Sequence, residues 1–351
     1  MIIPIPPMLS LRANPVPSSV LLIVAVGFAA ACASGGAPAR PAPSSLETPF
    51  RVAVLGDMPY HAPSAPDRDS IMAAYRAVLD TIAAERVAFV VHVGDITGAT
   101  CSDSLYAQRL SEFSSLPHPV IYTFGDNEWT DCARDGHDPL ERLTKLRQVF
   151  TAGSTSLGGR PLPLERQSDD PRFSAYRENV RWTHGSMLFL TIHVVGSNNN
   201  RGRDSTPPNE FLQRTAANIA WLRESFSLAT RERRQGIAIF MQANPTVTPA
   251  APAGQPRPPS GFTETMQALQ ELVLSFDGHV ALLHGDTHTF RVDQPLRDAQ
   301  GRIRTTFTRA ETYGNPSFHA LIMSVHPGTP VIFRFEPLVI PRNASPAIIR
   351  P

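Results

Sequence analysis

The feature that most constrains this chain is an apolar run that stops on a Gly-Asp pair. Residues 89–98 read FVVHVGDITG, the pattern of a strand buried on both faces, and they end in Gly94-Asp95 and a turn of small residues. The same grammar recurs at 52–57 (VAVLGD, ending in Gly56-Asp57), at 120–127 (VIYTFGDN, ending in Gly125-Asp126-Asn127) and at 280–288 (VALLHGDTH, carrying His284, Asp286 and His288). Open α/β sheets bind ligands where loops leave the carboxyl ends of their strands. Four such strands are therefore expected to bring carboxylate, amide and imidazole groups to one edge.

Helical spacing fills the intervals between these runs. Asp67 or Asp69 caps a helix carrying Ile71, Met72, Tyr75, Val78, Leu79 and Ile82, and this helix returns the chain to a strand over 87–93 as a parallel βαβ unit. Asp138-Pro139 opens a second helix through Leu140, Leu143, Leu146 and Phe150, with proline at the first helical position. Residues 151–180 read as irregular. One strand signal (MLFLTIHVV) lies within 181–195, followed by a polar loop (GSNNNRGRD), a helix over 209–228 and a short buried strand at 236–241. A proline-rich loop and a helix through Met266, Leu269, Leu272 and Val273 then lead into the 280–288 run. From residue 289 the pattern changes to alternating segments joined by turn residues, which predicts antiparallel strands closing one side.

The amino-terminal region reads as targeting sequence rather than fold. Residues 20–31 (VLLIVAVGFAAA) have the length of a secretory apolar core and are too short to span a bilayer; Arg12 precedes them, and Met8 is an alternative start. The run closes on Ala29-Ala30-Ala31-Cys32, which resembles a bacterial lipoprotein signal with Cys32 as the lipidated residue, although alanine replaces the usual leucine three positions earlier; the alternative is simple secretion. The expected division is a signal at 1–31, an Ala/Pro/Ser/Gly tether at 32–48 and one domain at 49–351, exported and either membrane-anchored through the lipid or periplasmic or extracellular. With Lys+Arg 32 against Asp+Glu 31, no strong field points to nucleic acid or to an anionic membrane as partner. In an oxidising compartment Cys101 and Cys132 are left as an even pair on loops leaving the same edge, and a disulfide that braces the site is expected, the alternative being two separate thiols.

Taken in order, the strand ends resemble the calcineurin-like metallophosphoesterases. That family places metal ligands on loops in the order Asp-x-His, Gly-Asp, Gly-Asn-His, a later His before Pro, and Gly-His-x-His. Here the matching positions are Gly56-Asp57, Gly94-Asp95, Asn127 within Gly125-Asp126-Asn127-Glu128, the strand end from Gln242 to Pro245, and His284-Gly285-Asp286-Thr287-His288. The likeness runs from Phe50 to about His288, and its specificity lies in the ordered set. It implies an α/β fold of the α+β kind, a β-sandwich of mixed sheets flanked by helices, and hydrolysis of phosphate mono- or diesters by hydroxide held on one or two divalent ions (Mn, Mg, Ca, Fe or Zn).

By that resemblance Asp95 bridges the ions, Asp57 and His288 serve one, Asn127 and Asp286 serve the other, and Glu128 is the general acid. Several positions depart from the pattern. Pro59 stands where the first motif has histidine, leaving Tyr60 or His61 as substitutes; Glu128 follows Asn127 in place of histidine; Ala243 stands at the fourth histidine, between Gln242 and Asn244; Asp286 replaces the first histidine of the last pair. The result is an oxygen-rich site that favours Mg, Mn or Ca over Zn at the second position. Asp126, His193, Gln242, Asn244 and His284 are candidate ligands or supporting groups, His193 reading more simply as a core histidine and His284 as an orienting one. Asn198 and Arg201 are candidate substrate contacts, the plainer reading of 198–201 being a solvated loop. No Gly-x-Ser-x-Gly elbow supports a serine hydrolase. The replaced histidines leave a second class open, a catalytically degenerate protein of the same fold that binds a metal or an anion.

Overall fold

The computed structural model describes residues 47–61, 65–98, 100–202, 209–246 and 258–344. The signal at 1–31, Cys32 and nearly all of the tether lie outside the described residues. Two sheets stack face to face. The first orders β12 (Phe333–Leu338), β11 (Ala320–Val325), β1 (Phe50–Leu55), β2 (Phe89–His92) and β3 (Val120–Tyr122). The second orders β4 (Glu165–Arg166), β5 (Val180–His184), β6 (Met187–Thr191), β7 (Gly236–Phe240), β8 (His279–His284), β10 (Phe307–Glu311) and β9 (Arg291–Asp293).

Both faces of the central strands are buried, which is why they read as unbroken apolar runs. Val52, Val54, Phe89 and Val91 point inward against Phe189, Ala238, Phe240, Ala281 and Leu283 of the opposite sheet. Their neighbours Ala53, Leu55 and Val90 face outward onto the buried stripe of α1 (Arg68–Ala84), Met72, Tyr75, Val78 and Ile82, and onto α2 (Asp103–Ser115) and α3 (Pro139–Phe150). On the far side Leu188, Leu190, Ile237, Ile239 and Leu282 pack against α4 (Glu210–Arg231) and α5 (Thr263–Ser275). The order of layers is helix, sheet, sheet, helix, the mixed sandwich expected. Asp138 accepts from the Leu140 amide at 2.9 Å with Pro139 opening α3, as its sequence dictates. α2, capped by Ser102 through the Leu105 amide, has no counterpart among the sequence expectations.

Three expectations change. The strands that end in the site are divided between the sheets, β1, β2 and β3 in one and β8 in the other, so the site straddles the top of the sandwich rather than one sheet edge. The signal within 181–195 is the second half of a hairpin: β5 precedes β6, antiparallel to it, and the chain turns at Gly185 with φ +56°. The segments after residue 289 do not form one antiparallel unit, because β10 runs parallel to β8 while β11 and β12 join the other sheet beside β1. Alternation along a strand reports which faces are buried, not which partner lies alongside, so it leaves that division open.

Candidate active site

Three of the Gly-Asp turns set their aspartate in a left-handed backbone conformation: φ is 55° at Asp57, 58° at Asp95 and 81° at Asp286, with His288 at 59°. Such conformations cost about 1–3 kcal/mol apiece and concentrate at functional sites. The glycines make room for the carboxylates across the loops. A Cβ on Gly125 would lie 2.0 Å from Asp95 Oδ1, one on Gly285 2.0 Å from Asp57 Oδ2, and one on Gly196 2.8 Å from oxygens of both Asp126 and Asp286. The recurring pair is thus explained jointly, since the glycine of one turn accommodates the carboxylate of another.

The result is a ring of acids, Asp57, Asp95 and Asp126 buried and Asp286 half-buried. Asp57 Oδ1 accepts the Asp286 amide at 2.9 Å, and its Oδ2 has no hydrogen-bond partner among the described residues. Asp95 is held at both oxygens, Oδ1 by the Asn127 amide (3.2 Å) and Oδ2 by the Tyr60 hydroxyl (2.6 Å). Asp286 Oδ2 accepts the Asn244 amide at 2.8 Å. Burial first, and then the neighbouring carboxylates, push Asp57, Asp95 and Asp126 above the usual range and Asp286 up to about 7. His288 completes the ring. Its Nδ1 lies 2.6 Å from the Asn315 carbonyl, to which only an N–H can bond, and its Nε2 is turned toward Asp57 Oδ1 at 3.8 Å.

An orphaned buried carboxylate oxygen and several acids with raised pKa beside an imidazole are what a cation completes, so the chemistry of these donors suits a divalent ion. Among the described residues no group of three or more His, Cys, Asp or Glu side chains is placed so that it could hold a metal ion. The carboxylates instead bond to amides, to Tyr60 and to one another.

Several residues expected at the chemistry do other work. Glu128, assigned by resemblance to protonate the leaving group, is fully buried beneath the ring: its Oε1 accepts from Tyr122 Oη (2.7 Å) and from the amides of Gly125 (2.5 Å) and Asp95 (3.1 Å), which ties the β2 and β3 loops together. Burial pushes it up to about 7. In the third motif the Asp126 carboxylate, rather than the Asn127 side chain, stands beside Asp95 and Asp286; Asn127 contributes its amide and sits half-buried at the mouth. Of the two candidates in the first motif, Tyr60 enters the ring, its edge against His288 at 5.3 Å, while His61 turns toward Arg109. His284 faces the helix side of β8 and contacts its neighbour's carbonyl, burial pushing it down to about 4. His193 is enclosed by Phe124, Trp129 and Glu178. Both therefore lie outside the ring.

Gln242 and Asn244 brace the ring, Gln242 Oε1 accepting the Gly196 amide (2.6 Å) and Asn244 Nδ2 donating to Thr287 (2.9 Å). Asn198 and Arg201 spend their polar atoms on the 259–264 segment: Asn198 Oδ1 accepts the Gly261 amide, and Arg201 donates to the Ser260 carbonyl and pairs with Glu264. Both brace that segment, and with Asn199 and Asn200 buried the stretch is not a solvated loop. The backbone run behind this, residues 197–200 all at positive φ, escaped sequence analysis. Its signal was present in Gly196-Ser197 followed by three asparagines, asparagine being the non-glycine residue best able to enter that region. Cys101 and Cys132 are disulfide-bonded, with Cα atoms 5.8 Å apart, and join the loops that carry Asp95 and Asn127.

Comparison with known proteins agrees with this architecture. No curated protein matches the sequence. Among solved structures, one titled "Structure of PhoD" superposes with a TM-score of 0.51 at 12% identity, covering 82% of this chain and 66% of that one. The crystal structure of TT1561 of Thermus thermophilus gives 0.44 at 9% identity, covering 84% and 100%. At 12% identity the likeness to PhoD concerns the fold alone, and the chain spans about two thirds of the length of that structure. The family model described as calcineurin-like phosphoesterase matches residues 50–290, from the first residue of β1 to just past His288, and takes in every loop that builds the ring. By that match, the chain belongs to the calcineurin-like phosphoesterase family.

Proposed function

We propose that the protein is a metal-dependent phosphoesterase that hydrolyses small phosphate mono- or diesters. The observation that carries this reading is the ring itself: buried Asp57, Asp95 and Asp126 and half-buried Asp286 together with raised pKa, and His288 presenting Nε2 to Asp57. Asp57, Asp95 and His288 would hold one divalent ion, and Asp95, Asp126 and Asp286 a second. A divalent ion bound there supplies Lewis-acid polarisation of a phosphoryl oxygen and a water acidified toward neutral pH. The chain's own contribution is positional. Tyr60 and the Asn127 amide fix both oxygens of Asp95, the Asn315 carbonyl fixes the tautomer of His288, and Glu128 holds the two loops in register. Export is supported by the apolar segment at 20–31 and by the bonded cysteine pair.

One observation favours a second reading, a protein that binds a cation without turnover: Glu128, the residue expected to protonate the leaving group, is sealed beneath the ring. A single experiment separates the two. The purified protein is stripped of metal, supplied in turn with Mn, Mg, Ca or Zn, and assayed on an aryl phosphate monoester and diester beside Asp95→Asn. The phosphoesterase reading expects metal-restored turnover in the parent and its loss in a folded Asp95→Asn. Metal binding in a folded parent with no turnover on either ester rejects it for the binding protein.

A further inference from the structure

Ser197, Asn198, Asn199 and Asn200 lie in the left-handed region in succession, at φ 49°, 56°, 53° and 59°. None is glycine, so the run persists only because its surroundings hold it. The holder is Arg214 of α4. Its side chain is fully buried, and its guanidinium donates to Asn199 Oδ1 (2.5 Å), to the Asn199 carbonyl (3.0 Å) and to the His193 carbonyl (2.8 Å), while Glu210 at 2.5 Å balances its charge. The guanidinium also lies over the Trp129 ring, 5.3 Å from its centroid, one residue beyond Glu128. Asn199 carries the constraint onward by donating to the Gly261 carbonyl at 3.0 Å.

What this turn delivers to the site is Gly196 and Ser197. The Gly196 amide donates to Gln242, its bare Cα occupies the gap between Asp126 and Asp286, and the Ser197 hydroxyl donates to Asp131 at 2.7 Å. If the turn relaxes toward ordinary backbone angles, Gly196 leaves that gap and the two carboxylates lose their spacer. We propose that Arg214 is a positioning residue: by locking residues 197–200 in the left-handed form it sets the separation of Asp126 and Asp286, and through it the affinity of the ring for a divalent cation. The proposal rests on the metal-dependent reading above.

The test measures Mn²⁺ binding by calorimetry on the metal-stripped protein, together with thermal unfolding, for the parent, Arg214→Lys, Asn198→Gly and the double variant. Lysine keeps a charge opposite Glu210 but cannot reproduce the forked contact with Asn199. Glycine enters the left-handed region without strain, so it lessens the need for the clamp. The expected result is a Mn²⁺ affinity at least about tenfold weaker in folded Arg214→Lys, a clear part of which the double variant regains. An affinity within about twofold of the parent, whatever happens to thermal stability, overturns the proposal, as does a loss undiminished by Asn198→Gly. Should Arg214→Lys fail to fold, Asn199→Ala removes the side-chain half of that contact while leaving Arg214 paired with Glu210, and the same criteria apply. A parent that binds Mn²⁺ but cleaves no ester removes the phosphoesterase reading and leaves the clamp standing; a parent that binds no Mn²⁺ overturns both.

Discussion

The buried acids make the stability of the metal-free protein depend on pH in an uncommon direction. Glu128 and Asp286 are both pushed up to about 7, by burial first and by Asp126 next among the charges that raise them. Because their folded values lie above those of an unfolded chain, the stabilisation belongs to the acid side: it is complete below about pH 4 and is lost as pH rises through about 7. Each shift spans about three pH units, worth about 4 kcal/mol at 1.36 kcal/mol per unit. Both groups feel the same Asp126, so one of them is counted, and because part of the loss falls below pH 5 it amounts to about 2.5 kcal/mol between pH 5 and 8. For a domain of this size that corresponds to a fall of roughly 5 °C in Tm. Carboxylates with depressed values, such as Glu178 paired with Arg147, protonate only at lower pH. The buried His92 and His284, pushed down to about 3 and about 4, act in the opposite direction, each stabilising the fold by about 2 kcal/mol as pH rises from about 5 past about 6.5, so the acids are read against a variant that keeps both histidines. The assay is calorimetry on the metal-stripped parent and Asp286→Asn between about pH 5 and about pH 8, with and without Mn²⁺. Relative to Asp286→Asn, the metal-free Tm of the parent is expected to fall across the range, and Mn²⁺ to raise the parent most at the alkaline end, where the ring is ionised. A parent-to-variant difference that is flat or rises with pH, or a Mn²⁺ effect equal at both ends, would refute this.

Two further outcomes follow from contacts around Asp95. Tyr60→Phe keeps the ring against His288 and deletes the 2.6 Å hydrogen bond to Asp95 Oδ2, a charge-assisted bond of about 1.5–3 kcal/mol, so turnover should fall about 10- to 100-fold. Since that bond lowers the Asp95 pKa, the acid limb of the pH–rate profile should also move to higher pH, and a limb left in place would argue against it. Replacing both Cys101 and Cys132 by serine opens a crosslink spanning 31 residues of sequence, which should cost about 3–4 kcal/mol. It should also weaken Mn²⁺ binding, because the bond joins the loops of Asp95 and Asn127; a variant that loses Tm but keeps full Mn²⁺ affinity would make the bridge a stability device only.

Much of this protein is written locally. Apolar runs ending in Gly-Asp located β1, β2, β3 and β8, helical spacing located α1, α3, α4 and α5, and the ordered strand-end residues led to the family, because each signal lies within a few residues of what it specifies. The bonding of Cys101 to Cys132 followed from their places after two strand ends. What sequence alone left open depends on contacts between distant segments. It named Glu128 by its position after Asn127, yet three donors from two loops draw that carboxylate beneath the ring. It left Tyr60 and His61 as equals, and a 2.6 Å bond to Asp95 together with the pull of Arg109 separates them. It read 198–201 as solvated, and an arginine on a helix that begins some ten residues later buries Asn199 and holds its backbone left-handed. The sequence determined which groups stand at the strand ends, since strand periodicity and turn chemistry are properties of neighbours along the chain. Only the tertiary structure decided which of those groups face one another across two sheets, because that depends on packing and desolvation between loops more than two hundred residues apart, as Asp57 and Asp286 are.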